Sequence, residues 1–234
     1  MADVTMNIDG GTPIGGEVSL SGNLGNLVLI ASAQLKDEMG VEWPPSKTLP
    51  YLNLFLLETI NLQPEAYPVE ENIDLAANVR QSLGETDIAL IDALYILTVA
   101  GSVETPISAV RLINKKNMDH IYPGWVAAAP SAYIAFIIKD DSNPKVFFTY
   151  PPSDGTGFVK LLVSQTPPVI DTDTTELPFD NSYYPACVDY LIYRCLAEET
   201  TIPNAQAKSQ FYYNKYLQDL GLKRNTERQT DEKS

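Results

Sequence analysis

Several residue types that build reactive sites are scarce in this chain. His120 is the only histidine among 234 residues, so a metal site with several histidine ligands is excluded. The two cysteines, Cys187 and Cys195, are eight positions apart on a predicted helix. That spacing separates their Cα atoms by roughly 12 Å, beyond the limit of about 7 Å for a disulfide, and it also excludes a two-cysteine zinc site. We therefore expect free, buried thiols in a protein made in a reducing cytosol.

Basic residues and long apolar runs are also few. Sixteen Lys and Arg residues against 30 Asp and Glu residues give a formal charge of -14, which repels phosphate backbones and anionic lipids. The most apolar stretch, residues 88–103, contains Asp92 and is shorter than the roughly 20 residues that span a bilayer. The first eleven residues have neither the basic nor the apolar segment of a signal peptide. We therefore expect a soluble chain that has no membrane partner and does not bind DNA.

No motif for catalysis or cofactor binding is evident. The glycines at 10–16 do not match GxGxxG, and GxxxxGK[ST] is absent. A serine or cysteine nucleophile would need His120 as its base, and His120 lies in a short polar helix beside Met118 and Ile121. Glycosidase chemistry needs two acids facing each other across a sugar, whereas adjacent acids on a turn or helix end point in different directions. The pairs considered are Glu70 with Glu71, Asp140 with Asp141, and Glu198 with Glu199. The sequence thus predicts no catalytic, cofactor-binding or metal-binding residues, and no cofactor.

Helical periodicity is present near both ends of the chain. Apolar residues at three- to five-residue intervals predict helices over 24–38 and 47–61, with Ser46 as the N-cap of the second and Pro50 in its first turn. The short link predicts antiparallel packing of these two helices. A third helix, which contains both cysteines, follows residues 180–182 and has a broad apolar stripe, so we expect it to be central. A last helix begins near Pro203 and ends at Gly221.

The segment between these helices has the pattern of β structure. Strands are predicted over 88–99, 110–113 and 158–165, the first of these runs as one or two strands, and Asn114 is predicted to cap a short helix. Residues 133–139 and 145–150 flank a run of turn formers and predict a β-hairpin. The fold class is therefore α+β. A bundle of about four helices is formed by residues 21–63 and 180–221, with a β-rich insert at 64–179, a flexible arm at 1–20 and an extended tail at 222–234.

Aromatic residues are concentrated in the last predicted helix. Tyr212 and Tyr216, with Leu220, form one face that we expect to pack within the chain. Phe211 and Tyr213 form another face, and aromatic rings with a polar tip suit protein interfaces. We therefore predict that Phe211 and Tyr213 contact a neighbouring subunit.

Four segments in order resemble a known family. They are Gly40-Val41-Glu42-Trp43-Pro44 with the following helix and Leu62-Gln63-Pro64-Glu65-Ala66-Tyr67; Ala109-Val110-Arg111-Leu112-Ile113 with Pro123-Gly124-Trp125; Val146-Phe147-Phe148-Thr149-Tyr150-Pro151-Pro152; and Tyr183-Tyr184-Pro185-Ala186-Cys187-Val188-Asp189-Tyr190-Leu191-Ile192-Tyr193-Arg194. Together they resemble the head-to-tail adaptor (connector) proteins of short-tailed bacteriophages over residues 38–221. Residues 1–37 fit this pattern less well.

This resemblance implies a structural virion protein that is made in the host bacterial cytoplasm and is not an enzyme. Family members assemble as a dodecameric ring of identical subunits between the portal protein and the tail nozzle protein, and viral DNA passes through the bore without sequence-specific binding. The resemblance makes the tail, including Lys223, Arg224, Arg228 and Lys233, a portal-binding arm. It makes the hairpin turn with Asp140, Asp141, Asn143 and Lys145 a nozzle-side contact.

Other interpretations remain open at this stage. The negative charge is explained by solubility alone, and it also suits a bore wall that does not hold DNA. A second structural interpretation places the chain elsewhere in the virion, as a neck or tail-completion protein. A third, based on the acid pairs, is a hydrolase acting on cell-surface glycan.

Overall fold

The computed structural model describes residues 24–37, 39–100, 103–171, 176–199 and 203–221, which form a mixed α+β protein. The described helices are α1 (Leu24–Leu35), α2 (Pro45–Leu62), α3 (Lys115–Ile121), α4 (Tyr184–Glu198) and α5 (Ala205–Asp219). The described strands are β1 (Pro68–Asp74), β2 (Arg80–Ser82), β3 (Asp87–Ala100), β4 (Val103–Ala109), β5 (Arg111–Asn114), β6 (Phe136–Lys139), β7 (Val146–Tyr150) and β8 (Phe158–Gln165). The predicted α+β class is confirmed, whereas the predicted arm at 1–20 and tail at 222–234 lie outside the described residues.

The ends of the first two helices differ from the prediction. α1 stops at Leu35 because Lys36 adopts a left-handed backbone with φ of 62°. α2 begins at Pro45, with the extended Pro44 as its N-cap, so the predicted capping role of Ser46 is wrong. Proline suits the first helical position because its fixed φ matches the helix and its missing N–H has no partner there anyway. Pro50 consequently lies inside α2 rather than in its first turn.

α4 is the central helix of the largest hydrophobic core. Nine of its 15 residues are buried, and it contacts α1, α2 and α5. Phe55 of α2, Tyr190 of α4 and Tyr216 of α5 are each almost fully buried, and their rings meet with centroids 5.1–6.1 Å apart. The predicted central position of α4 is confirmed. The predicted pairing of α1 with α2 is not observed, since α1 packs chiefly on α4.

The first sheet is antiparallel, with strand order β1-β8-β3-β4. β3 is one continuous strand of 14 residues with several register shifts. Its pairing with β8 ends at Leu97, so residues 98–100 pair only with β4. The hairpin formed by β3 and β4 therefore continues past the end of β8.

The second sheet has the order β2-β7-β6-β5 and contains the predicted hairpin, formed by β6 and β7. β5 and β6 are parallel and are connected through α3. Asn114 caps α3 as predicted, because its side chain accepts a hydrogen bond from Asn117 N–H at 2.8 Å.

Two smaller cores complete the β region. The first lies between the sheets, with Ile96 and Leu161 on one side and Ile137 and Phe147 on the other. The next residue of β6, Ile138, points to the opposite face of its sheet, where it packs with Met118 of α3 and Trp125. The β region therefore consists of three layers: α3 with its following turn, the second sheet and the first sheet.

Candidate interaction surfaces

The connection between α1 and α2 is organised around one buried carboxylate. Asp37 accepts hydrogen bonds from the backbone N–H groups of Val41, Glu42 and Trp43 at 2.9, 3.1 and 2.8 Å. Burial alone would raise the pKa of Asp37, but these three N–H groups and the charge of Lys47 lower it. The sequence motif at 40–44 is thereby explained: its amide groups close on Asp37 and its tryptophan enters the helical core.

Acidic groups also connect the helices of the large core. Glu58 of α2 accepts hydrogen bonds from the hydroxyls of Tyr190 at 2.9 Å and Tyr213 at 3.2 Å. Lys215 of α5 lies 2.9 and 2.8 Å from the two carboxylate oxygens of Asp189, which is 1% exposed. Burial raises the pKa of Asp189 and nearby Asp219 adds to the rise, while Lys215 opposes it. These carboxylates are bound by partners inside the chain.

The two aromatic residues predicted at a subunit interface have different environments. Phe211 is 62% exposed on α5. Tyr213 is half-buried, with its ring 4.8 Å from that of Tyr193 and its hydroxyl bound to Glu58. The packing face was predicted correctly, since Tyr216 and Leu220 are buried and Tyr212 packs against the core. The interface role of Phe211 and Tyr213 stays a prediction.

The predicted nozzle-side turn is exposed and locally braced. Asp140 accepts a hydrogen bond from Ser142 N–H at 3.0 Å, and Asn143 accepts one from Lys145 N–H at 3.1 Å. The Lys145 ammonium donates to the carbonyl of Glu85 at 3.1 Å, which fastens the turn to the loop between β2 and β3. Asp141 is exposed beside them. The four predicted residues are brought together, while the portal-arm residues Lys223, Arg224, Arg228 and Lys233 lie outside the described part of the chain.

A surface that sequence reasoning missed is the outer strand of the first sheet. All seven residues of β4 are exposed, including the aliphatic side chains of Val103 at 62% and Ile107 at 46%. The hairpin is held down by Glu104, which accepts from Asn72 and lies 2.6 Å from the Lys160 ammonium. The sequence signal was present, because a strand that begins with Val-Glu-Thr-Pro breaks the apolar run of β3 and has the proline and charge typical of sheet edges.

A second surface that was missed lies at the end of α3. Ile121, Tyr122, Pro123 and Trp125 line a shallow groove of about 300 Å³ with Tyr150, whose ring stacks on that of Tyr122 at 5.4 Å. The indole N–H of Trp125 donates a hydrogen bond to Asp119 at 2.8 Å, which holds the ring in position. Exposed Ile121 and Val126 extend the apolar surface around the groove. The sequence signal was a run of apolar residues after a helix too short to bury them.

His120 and the acidic residues that were considered for catalysis do not come together in one site. His120 is exposed on α3. Glu71 and Asp87 do lie together, because the Gln165 amide donates to both, at 3.2 and 2.9 Å. Burial, followed by the neighbouring Asp87, raises the pKa of Glu71. Glu70, its partner in the acid pair, instead lies 3.8 Å from Lys160, since successive strand residues point to opposite faces.

Metal and membrane sites were also sought in the described segments. Within residues 24–37, 39–100, 103–171, 176–199 and 203–221, no group of three or more His, Cys, Asp or Glu side chains is placed to hold a metal ion. Among the helices of those segments, none combines the length and apolar character needed to cross a bilayer.

The model of the family described as SU10 adaptor protein matches residues 23–233, which is nearly the whole chain. No curated protein matches significantly.

Proposed function

The chain belongs to the SU10 adaptor protein family, and from this premise we propose that it is the head-to-tail adaptor of a short-tailed phage, forming a ring between portal and tail nozzle. Membership identifies a phage structural adaptor, and hence a virion component. The family is a structural one rather than an enzyme family. The match over residues 23–233 is the observation that carries the proposal.

The arrangement of buried and exposed groups supports a structural role. The helices from both chain ends share one core, and we propose that they act as a single four-helix bundle, the rigid body of each subunit. Around it, apolar side chains are exposed at separate places, among them Phe211, Val103 and Ile121. Scattered exposed apolar residues are normal, but a strand exposed along its whole length and a groove lined by aromatic rings are typical of surfaces that meet other proteins.

The proposed contacts with portal and nozzle follow from the resemblance to the adaptors of short-tailed phages. The tail with Lys223, Arg224, Arg228 and Lys233 is assigned to the portal. Its start, residues 223–228, carries three basic residues and one acidic one and so contrasts with the acidic body. The braced turn with Asp140, Asp141, Asn143 and Lys145 is assigned to the nozzle. Phe211 is assigned to the neighbouring subunit, together with Tyr213 through its ring edge. We further propose that twelve copies form the ring, that viral DNA passes through its bore, and that the chain is made in the host cytoplasm.

Mixing the purified chain with the portal protein of its phage tests the proposal directly. Negative-stain images are expected to show the portal ring lengthened by a second ring. A chain ending at Gly221 serves as the matched variant, because all described elements are retained while the tail is removed. It is expected to lose most portal binding. A portal ring of unchanged length with the full chain contradicts the adaptor role.

Particle labelling separates the adaptor from another neck or tail-completion protein. An antibody or gold label on the chain is expected at the junction of head and tail in intact virions. A label farther along the tail would favour a tail-completion role, and virions without the chain would contradict any structural role. Glycan hydrolysis by the purified chain, lost on Asp140→Asn or Glu198→Gln, would instead support an enzyme.

A further inference from the structure

We propose that the hairpin of β3 and β4 in one copy of this chain seats in the groove at the end of α3 of the next copy. The closure of such contacts into a ring rests on the adaptor function proposed above, but the contact itself does not. The occupant of the groove is thus a second copy of this chain. The hairpin surface is defined by β4 with Val103 and Ile107, and the α3 groove by Ile121, Tyr122, Trp125 and Tyr150.

The hairpin has the form of an inserting element. Residues 98–100 of β3 pair with β4 after β8 has ended, so no third strand among the described residues pairs with this part of the hairpin. Val103 and Ile107, four positions apart on β4, are 62% and 46% exposed. The contacts of Glu104 with Lys160 and Asn72 fix the hairpin to the sheet. A braced strand with exposed aliphatic groups loses little conformational entropy on binding.

The groove has the complementary form. Its floor is Trp125, which is 2% exposed and held by Asp119, and its walls are Tyr122 and Tyr150. Ile121, at 55% exposure, stands at the rim. Aromatic rings in a preformed depression offer apolar contact area for branched aliphatic side chains such as those of β4.

Charge complementarity identifies the occupant. β3 and β4, residues 87–109, contain three acidic residues and no basic one. Asp87 is fully buried, so the exposed acids of the hairpin are Asp92 and Glu104, of which Glu104 is paired with Lys160. Residues 110–139, which include α3 and the residues around the groove, contain four basic residues and one acidic one in a chain whose net charge is -14. Lys116 and Arg111 are exposed there, while Asp119 is engaged by Lys115 at 2.7 Å. A hairpin that carries exposed acids and no basic residue is therefore attracted to a region of this acidic chain that is locally basic.

The geometry fits a head-to-tail assembly. β4 is an edge of the first sheet, whereas the groove lies on the outer face of the second sheet. Each copy thus presents two different surfaces, and contacts between unlike surfaces generate rings when the rotation closes. A contact between like surfaces would stop at a dimer.

Sedimentation velocity of the full chain, at concentrations up to roughly 1 mM, tests this contact. Wild type is expected to self-associate with rising concentration, and the association is expected to weaken with salt. Val103→Asp and Ile121→Asp are each expected to weaken it at least about tenfold, because each places a carboxylate in a desolvated apolar contact. Val169→Asp, at a residue 81% exposed and outside both surfaces, is the matched control and should match wild type.

Mixing the two variants gives the decisive result. The Val103→Asp chain retains its groove and the Ile121→Asp chain retains its hairpin, so an equimolar mixture is expected to form heterodimers that do not grow further. Wild type that stays monomeric at the highest concentration, variants that behave like Val169→Asp, or a mixture no more associated than its components would each overturn the contact. Lengthening of the portal ring by these variants at wild-type levels would leave the adaptor role intact and remove only this inference.

Discussion

The helical and β regions of this protein stabilise themselves in different ways. Among the residues that the structure describes, 23 buried apolar residues of the helical region form one continuous cluster. In the β region the corresponding clusters have 12 and 3 residues, divided by the second sheet. Exposed apolar side chains occur in both regions, for example Leu57 and Phe211 on the helices and Val103 and Ile121 in the β region. The comparison teaches that the helical region is held by one continuous core, whereas the β region is held by thinner layers on either side of the second sheet.

The largest expected effect tests the single helical core. Phe55→Ala removes a fully buried ring that contacts Phe179, Tyr190 and Tyr216. The expected loss in the free energy of unfolding is about 3–5 kcal/mol, from lost burial and the cavity left behind. Leu57→Ala, on the exposed side of the same helix, is the control and should cost less than about 1 kcal/mol. Equal effects in a urea titration would contradict one continuous core.

The next effect concerns the carboxylate that closes the link between α1 and α2. Asp37→Ala leaves three backbone N–H groups without their acceptor, and we expect a loss of about 2 kcal/mol at pH 7. The pKa of Asp37 is lowered in the fold, so its contribution is present above the ordinary value of about 3.9 and disappears as pH falls through the folded pKa. Urea unfolding of both chains at pH 7 and in acid should therefore show the difference shrinking. A constant difference would contradict this role.

A smaller, local effect is expected in the hairpin of the β region. Lys160→Ala removes the ammonium that lies 2.6 Å from Glu104 and 3.8 Å from Glu70. Amide hydrogen exchange in β4 is expected to become several-fold faster, because the strand loses its fastening while its sheet partner remains. Lys115→Ala, which removes an exposed pair within α3, is the control and should leave β4 unchanged. Unaltered exchange in both variants would show that the hairpin is held by backbone pairing alone.

The smallest effect concerns Glu71, whose contribution to stability changes with pH in the opposite direction to that of Asp37. The pKa of Glu71 is raised, so its stabilising contribution is complete below the ordinary value of about 4.3 and declines as pH rises through the folded pKa. Glu71→Gln is neutral at every pH and can donate an amide hydrogen to Asp87. We expect it to change stability at pH 7 by less than about 1 kcal/mol, toward greater stability, with a smaller gain on acidification. A melting temperature clearly below that of wild type at pH 7 would contradict this.

The sequence predicted correctly those elements that are determined by residues close to one another in the chain. The broad apolar stripe of α4, the hairpin around residues 140–145 and the cap at Asn114 follow from side chains close in sequence. The start of α2 was misplaced because Ser46 is a good capping residue in isolation, while Pro45 already begins the helix directly after the extended Pro44.

Features that depend on distant segments were not predictable in the same way. The parallel pairing of β5 with β6 is set by the packing of α3, and parallel strands need such a connection. Tyr213 was assigned to an outward face from helical spacing, but Glu58, 155 positions away, draws its hydroxyl inward. Exposed surfaces such as β4 and the α3 groove could be recognised only when the layers beneath them were known.

The burial of Cys187 and Cys195 has a practical consequence for experiments. Both thiols are 1% exposed or less, and burial, followed by the charge of Glu198, raises the pKa of Cys195 to about 12. Because alkylating reagents attack exposed thiolates, the native cysteines should not react with them in the folded protein. A fluorophore attached at an introduced surface cysteine would therefore report from that position alone, and slow labelling of the native pair would measure how often α4 opens.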